Sequence, residues 1–256
     1  MKNSIVSGIF TGYVWLVFLL TILPFFFLYL LIWLLTFPFD TKRIYCHNFV
    51  SYWAGFYILI NPWWKVTIEN RFRMDRNQAY IILSNHQSML DALVLYQLHF
   101  PFRWILKQEL FRIPVVGWVL FLNKYIPVVR GDKISADNMI GRAVESLREG
   151  ISILIFPEGT RSTDGNIGEF REGAFKIALE SKALLLPVII DGAFDALPKN
   201  GFLFRRKQPI VVKILDAVKP EEYVSLPLPQ LIRKMELLMA DELTKLKNEK
   251  ILLYHE

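Results

Sequence analysis

The chain has 256 residues, long enough for one sizeable domain and a separate hydrophobic element. Hydrophobic residues make up 53%, high for a freely soluble protein, and one cysteine excludes a disulfide framework, a CxxC pair and a cysteine-built zinc site. The net charge of +6 gathers in small clusters, among them Arg71/Arg73/Arg76 and Arg205-Arg206-Lys207, and beside a hydrophobic front end it fits an anionic lipid surface better than nucleic acid.

From Asn3 to Phe39 no residue is charged. That run exceeds the roughly 20 apolar residues needed to cross a bilayer. It is too long for the apolar core of a signal peptide and is expected to be retained. Pro24 interrupts it, and Pro38 with Asp40-Thr41-Lys42-Arg43 ends it. A second, aromatic segment runs from Ile44 to Ile60 and breaks at Asn61-Pro62, with Trp63-Trp64 at an interface position. Two arrangements compete: one or two spanning helices, or a helical hairpin lying in one leaflet. The short second segment favours the hairpin. If the first helix spans, Lys42-Arg43 marks a cytoplasmic turn. Residues 1–62 are therefore expected to form a hydrophobic helical membrane anchor, and residues 63–256 an α/β domain.

Beyond Trp64 the pattern alternates. Lys65–Glu69, Ala79–Leu83, Arg103–Leu106, Tyr125–Val129, Ile151–Phe156, Leu184–Ile190 and Pro209–Val218 are predicted strands. Met89–Leu98, Asp137–Glu149, Ala174–Ser181 and an amphipathic Pro229–Lys247 are predicted helices, and the apolar stretch Leu110–Leu122 is broken by Pro114 and Gly117. The polar stretch Ser162–Glu169 reads as a mobile loop. Strands alternating with helices predict an α/β fold, a sheet covered on both faces.

Two motifs carry chemistry. In Ser84-Asn85-His86-Gln87-Ser88-Met89-Leu90-Asp91, a histidine precedes an aspartate by five residues. On one continuous helix such residues lie about 140° apart and do not meet. They meet if His86 sits in the loop after a strand and Asp91 in the first helical turn. Asp91 then fixes the imidazole tautomer and the other ring nitrogen takes a proton from a hydroxyl. The bland alternative is that Ser88-x-x-Asp91 is a capping box and Asp91 only caps amides. In Phe156-Pro157-Glu158-Gly159-Thr160-Arg161-Ser162, Gly159 permits a tight turn, and exposed amides with the Arg161 guanidinium suit a phosphate. Glu158 is expected to shape that loop by pairing with a cation or accepting amides. Lys107 and Arg130 are further candidate anion partners. No Gly-x-Ser-x-Gly elbow, Walker loop or GxGxxG is present, so no covalent intermediate is called for.

These blocks, with Lys107-Gln108-Glu109-Leu110-Phe111-Arg112-Ile113-Pro114, Phe170-Arg171-Glu172-Gly173-Ala174 and Leu186-Pro187-Val188 in order between residues 65 and 215, resemble the glycerolipid acyltransferase family, most closely its 1-acylglycerol-3-phosphate branch. The resemblance implies a mixed α/β sheet flanked by helices behind a hydrophobic N-terminal helical element. It implies acyl transfer from acyl-CoA or acyl carrier protein to the sn-2 hydroxyl of lysophosphatidic acid, on the cytoplasmic face of a membrane, with no cofactor or metal. His86 is the implied base and Asp91 its orienting partner. Lys107, Arg130 and Glu158-Gly159-Thr160-Arg161 are the implied phosphate contacts, and Leu110–Leu122 a candidate acyl groove. Where the family usually has glycine, six residues before Arg130, this chain has Lys124, which bears on the acceptor. Other acceptors (glycerol 3-phosphate, another lysophospholipid, a lyso-aminolipid) are the alternatives within the enzyme class. A non-catalytic lipid-binding protein is the alternative outside it.

Overall fold

The structure, a computed structural model, describes residues 2–61, 63–199, 201, 203–205 and 208–254. Pro62 of the expected break, and Arg206 and Lys207 of one basic cluster, lie outside the described residues.

The uncharged N-terminal run is one helix, α1 (Lys2–Thr36), with Pro24 accommodated inside it. At 35 residues it is about 52 Å long. Most of its apolar surface is uncovered: Ile9, Leu19, Leu20, Phe27, Leu34 and Leu35 are all exposed. The second segment is α2 (Ile44–Leu59), whose 16 residues span only about 24 Å, short of a bilayer core. The two helices run antiparallel. Thr21 meets the Tyr57 hydroxyl at 3.0 Å, Phe25 stacks on Trp53, and Thr36 lies near Cys46. Asp40 builds the turn between them. Its carboxylate accepts from the amides of Ile44 at 2.7 Å and Tyr45 at 3.0 Å, at the helix start where donors lack partners. Arg43 is buried in the same turn, in left-handed backbone, and its guanidinium donates to the Asp40 carbonyl and lies over the Phe37 ring. Lys42 alone of the expected cationic pair is a surface charge.

The sheet has seven strands: β1 (Trp64–Glu69), β2 (Tyr80–Ser84), β3 (Phe102–Lys107), β4 (Ile126–Val128), β5 (Ser152–Ile155), β6 (Leu184–Asp191) and β7 (Gln208–Ile214). Their spatial order is β1-β7-β6-β2-β5-β3-β4. From β6 to β4 every pairing is parallel, while β7 lies antiparallel on β6 and carries β1 parallel to itself. The central strand shows why a continuous apolar run was needed. Tyr80 and Ile82 enter one core, and Ile81 and Leu83 enter the other.

The first core is covered by α2, with α3 (Asp91–Tyr96) and α4 (Val116–Leu122), and α1 packs outside α2. The second is covered by α5 (Lys133–Arg148), α6 (Gly173–Ser181) and α8 (Leu228–Tyr254), through Met139, Phe175, Leu231 and Met235. Val50, Trp53 and Tyr57 place the inner face of α2 in the same core as the sheet. Each such side chain contributes about 1.5–3 kcal/mol when fully buried.

Several local expectations shift. The helix expected over 89–98 is only Asp91–Tyr96, because the residues before it are bonded into a loop. The last strand ends at Ile214, and Val218 rejoins the sheet through a single bridge to Leu185. A short helix, α7 (Ala193–Ala196), follows β6 without having been predicted. The stretch 162–169, expected as mobile, is cross-bonded: Gln87 and Lys247 both donate to the Gly165 carbonyl, and Ser162 Oγ accepts from the Gly165 amide.

Candidate active site

Four adjacent parallel strands, β2, β5, β3 and β4, end at the same edge of the sheet. His86 follows β2, Glu158–Arg161 follow β5, Lys107 closes β3 and Arg130 follows β4. Topology thus gathers every residue singled out from the sequence at one edge, the carboxyl edge where open α/β sheets bind ligands.

The loop after β2 is fixed residue by residue. The Asn85 side chain pairs with both backbone groups of Ile190 on β6, at 2.9 and 2.8 Å. Gln87 donates to Gly165, and Ser88 Oγ donates to the Leu197 carbonyl at 2.7 Å. These anchors hold His86 in the loop while Asp91 opens α3. His86 Nδ1 lies 2.7 Å from Asp91 Oδ2. That same oxygen accepts from the amides of Gln87 at 2.6 Å and Ser88 at 2.7 Å. The two readings of Asp91 are therefore one geometry: it ties the loop amides and holds the imidazole. An oxygen already accepting from two amides is an acceptor, so in the neutral ring the proton sits on Nδ1 and Nε2 keeps its lone pair. Asp91 is wholly buried, and its Oδ1 has no partner among the described residues.

Phe156, at the end of β5, stacks on the His86 ring with centroids 3.9 Å apart and planes 9° apart. It fixes the ring plane that Asp91 alone leaves free. Glu158 joins the two loops. Its Oε1 accepts from the His86 amide at 2.8 Å and its Oε2 from the Gly168 amide at 3.0 Å. The Ser162 amide donates back to the His86 carbonyl at 2.7 Å. Burial raises the Glu158 pKa above the ordinary carboxylate range, against the two amides that lower it. Of the residues grouped as phosphate contacts, Glu158 is thus turned inward as a clamp.

Gly159 adopts φ +68°, which favours glycine, and a Cβ there would stand 2.7 Å from Arg171 Nε and displace that side chain. Thr160 is exposed and its hydroxyl accepts from Lys199 at 3.2 Å. Arg161 is half-buried, without a carboxylate partner among the described residues. Lys107 is exposed and paired with Glu109 at 3.0 Å, and Arg130 is exposed. Lys124 adopts φ +58°, the conformation that favours glycine at this position, and its ammonium donates to the Thr41 carbonyl at 3.1 Å. It is engaged with the turn between α1 and α2.

Beside the site lies an apolar cavity of about 240 Å³ between α1, α2, α3 and the Leu110–Leu122 segment. Trp53, Tyr96, Trp104, Leu110, Val119 and Leu120 are among its walls. Trp104 contacts Phe156, ring centroids 5.5 Å apart, so the cavity wall continues to the ring under His86. Phe156 and Lys199 touch the site residues, through the His86 ring and through Thr160 and Arg161, without having been given a role from the sequence. Phe156 sat inside a recognised motif. Lys199 follows an unpredicted short helix and had no local signal.

A family model described as Acyltransferase matches residues 65–191. A 1-acyl-sn-glycerol-3-phosphate acyltransferase of Borreliella burgdorferi is 31% identical over 181 residues, covering 67% of this chain and 72% of that one. A chloroplastic 1-acyl-sn-glycerol-3-phosphate acyltransferase of Arabidopsis thaliana is 34% identical over 165 residues, 64% of this chain, and the match spans only 46% of that longer protein. The crystal structure of a 1-acyl-sn-glycerophosphate acyltransferase from Thermotoga maritima superposes with a TM-score of 0.77 at 23% identity, covering 96% of this chain and 98% of that one, and shares its fold. The chain belongs to the acyltransferase family of the 1-acyl-sn-glycerol-3-phosphate acyltransferases.

Proposed function

We propose that the protein transfers an acyl chain from a thioester, acyl-CoA or acyl carrier protein, to the sn-2 hydroxyl of lysophosphatidic acid, forming phosphatidic acid. The observation that carries this reading is the His86–Asp91 contact of 2.7 Å, at the carboxyl edge of the sheet and beside an apolar cavity. His86 Nε2 removes the hydroxyl proton as the oxygen attacks the thioester carbonyl. Asp91 holds Nδ1–H and stabilises the imidazolium that forms. The tetrahedral intermediate collapses, the C–S bond breaks, and the thiol leaves with the proton from His86. No covalent acyl-enzyme is needed, because the donor is already activated.

The acceptor phosphate sits by Arg161, Gly159 and Thr160, with Lys107 and Arg130 facing the same edge. The cavity takes an acyl chain. Residues 1–62 make the membrane contact, α1 through its exposed apolar surface and α2 through the edge it leaves uncovered, with the catalytic residues on the cytoplasmic side. The relatives' names and the unshielded face of α1 support this reading.

Detergent-purified protein offered lysophosphatidic acid or glycerol 3-phosphate, each with acyl-CoA and then acyl carrier protein, tests it. Product from lysophosphatidic acid alone is expected. Product from glycerol 3-phosphate instead would move the assignment to an earlier acylation step.

A further inference from the structure

Lys199 stands in the segment that follows α7, far from both motifs in sequence. Its ammonium donates to Thr160 Oγ1 at 3.2 Å and to the Arg161 carbonyl at 2.9 Å. Two residues earlier, the Leu197 carbonyl accepts from Ser88 Oγ at 2.7 Å. One short segment is thereby bonded to the His86 loop and to the Arg161 loop at once. Across Gly159, the Arg171 side chain fills the space a Cβ would take. Among the described residues, none of Arg161, Arg171 and Lys199 has a carboxylate partner. Three acids of the adjoining segments are engaged with other groups. Glu158 binds the His86 and Gly168 amides, Asp164 binds Ser162 and Asn166, and Glu172 pairs with Lys176.

Lys199 is thus bonded to Thr160 and Arg161, Arg171 lies against Gly159, and Arg161 belongs to the same turn, so three cationic side chains belong to or border one short loop, where a shared anion is favoured. An ammonium has three donors, and Lys199 spends two on the loop. Resting on the lysophospholipid reading, we propose that Lys199 is a positioning and specificity residue for the acceptor: it fixes the Thr160–Arg161 backbone and, with Arg161 and Arg171, completes a cationic cradle for a phosphate monoester. A dianionic phosphate matches three cations better than the single negative charge of a phosphodiester, and a zwitterionic lysophospholipid brings its own cation into the cradle.

The test uses the full chain in neutral detergent and two variants, Lys199→Met and Lys199→Arg, compared by thermal melting to show that they fold. Equilibrium binding of lysophosphatidic acid, with lysophosphatidylcholine as control, is measured without donor, and then KM for each substrate. Lys199→Met is expected to weaken lysophosphatidic acid binding about ten- to a hundredfold and to raise its KM alike. KM for the acyl donor should stay within about twofold, and Lys199→Arg should recover much of the binding. Unchanged binding in Lys199→Met, equal losses for both lysolipids, or no binding by the wild type overturns the cradle. Lys199-dependent binding without turnover would leave the cradle standing and remove the acyl-transfer reading.

Discussion

Two loops meet at the carboxyl edge of the sheet, and they are built differently. The loop after β2 spends nearly every polar side chain on backbone: Asn85 on Ile190, Gln87 on Gly165, Ser88 on Leu197, Asp91 on two amides. Only the His86 ring is left with a nitrogen uncommitted among the described residues, pinned between Asp91 and Phe156. The loop after β5 does the reverse. It commits its acid, Glu158, to the first loop and leaves its cation, Arg161, without a carboxylate partner. Rigidity in one loop and unspent charge in the other divide the labour. On the function proposed above, the first loop places the base and the second attracts the acceptor's anion. Changes in the first should strike turnover, and changes in the second should strike acceptor affinity.

His86→Ala tests the division hardest. Removing a general base costs about 10²–10⁴-fold in kcat, with the KM of the acceptor little changed. A loss below tenfold in a folded variant would end the role assigned to the first loop. Asp91→Asn comes next, at about 10²-fold in kcat. The asparagine oxygen can still accept from the two amides and from Nδ1, but its NH₂ falls where Oδ1 already lacks a partner, and the charge that steadies the imidazolium is gone. If Asp91 only capped the loop, kcat would hold in a folded Asp91→Asn variant. Arg161→Ala should instead raise the acceptor KM about ten- to fiftyfold and leave kcat within a few-fold. A pure kcat effect there would erase the contrast between the loops.

How far the sequence displays this contrast depends on how local each signal is. The strands with continuous apolar runs, Tyr80–Leu83 and Ile153–Ile155, are legible because burial on both faces leaves no other composition. The His86–Asp91 contact was legible because strand, loop and helix follow one another within a dozen residues. The role of α2 was not. Its segment is as apolar as a membrane helix, and only its length of 16 residues hints at packing on a sheet. The antiparallel placement of β7 on β6 leaves no mark on its own residues, whose apolar run would suit either direction. Lys199 shows the same limit at the site: its partners lie 38 and 39 positions away and nothing nearby in sequence distinguishes it from a surface lysine. Lys124 is the opposite case. Its place where the family usually has glycine points to the acceptor; instead its backbone takes φ +58°, which the sequence reading does not address, and its amine donates to Thr41.

The joint between the loops gives the smallest and most specific prediction. Glu158 offers two oxygens to two amides, His86 at 2.8 Å and Gly168 at 3.0 Å. Glutamine has one oxygen, so Glu158→Gln points an NH₂ at one of those amides and leaves both donors unsatisfied, at a cost of about 1–3 kcal/mol in stability. The cost should depend on pH in a defined direction. Burial raises the Glu158 pKa in the folded protein, so the folded state holds this proton more tightly than the unfolded chain, where a glutamate titrates near about 4.3. Its stabilising contribution is complete below that unfolded value and is lost as pH rises through the raised folded one. Glutamine does not titrate, and every other group cancels between the two proteins. The stability advantage of wild type over Glu158→Gln, from denaturant midpoints at a series of pH values, should therefore be largest in acid and shrink as pH climbs through that window. A gap that widens with pH would mean that the two amides outweigh burial, that the clamp works as a carboxylate, and that the joint between the loops is itself held by charge.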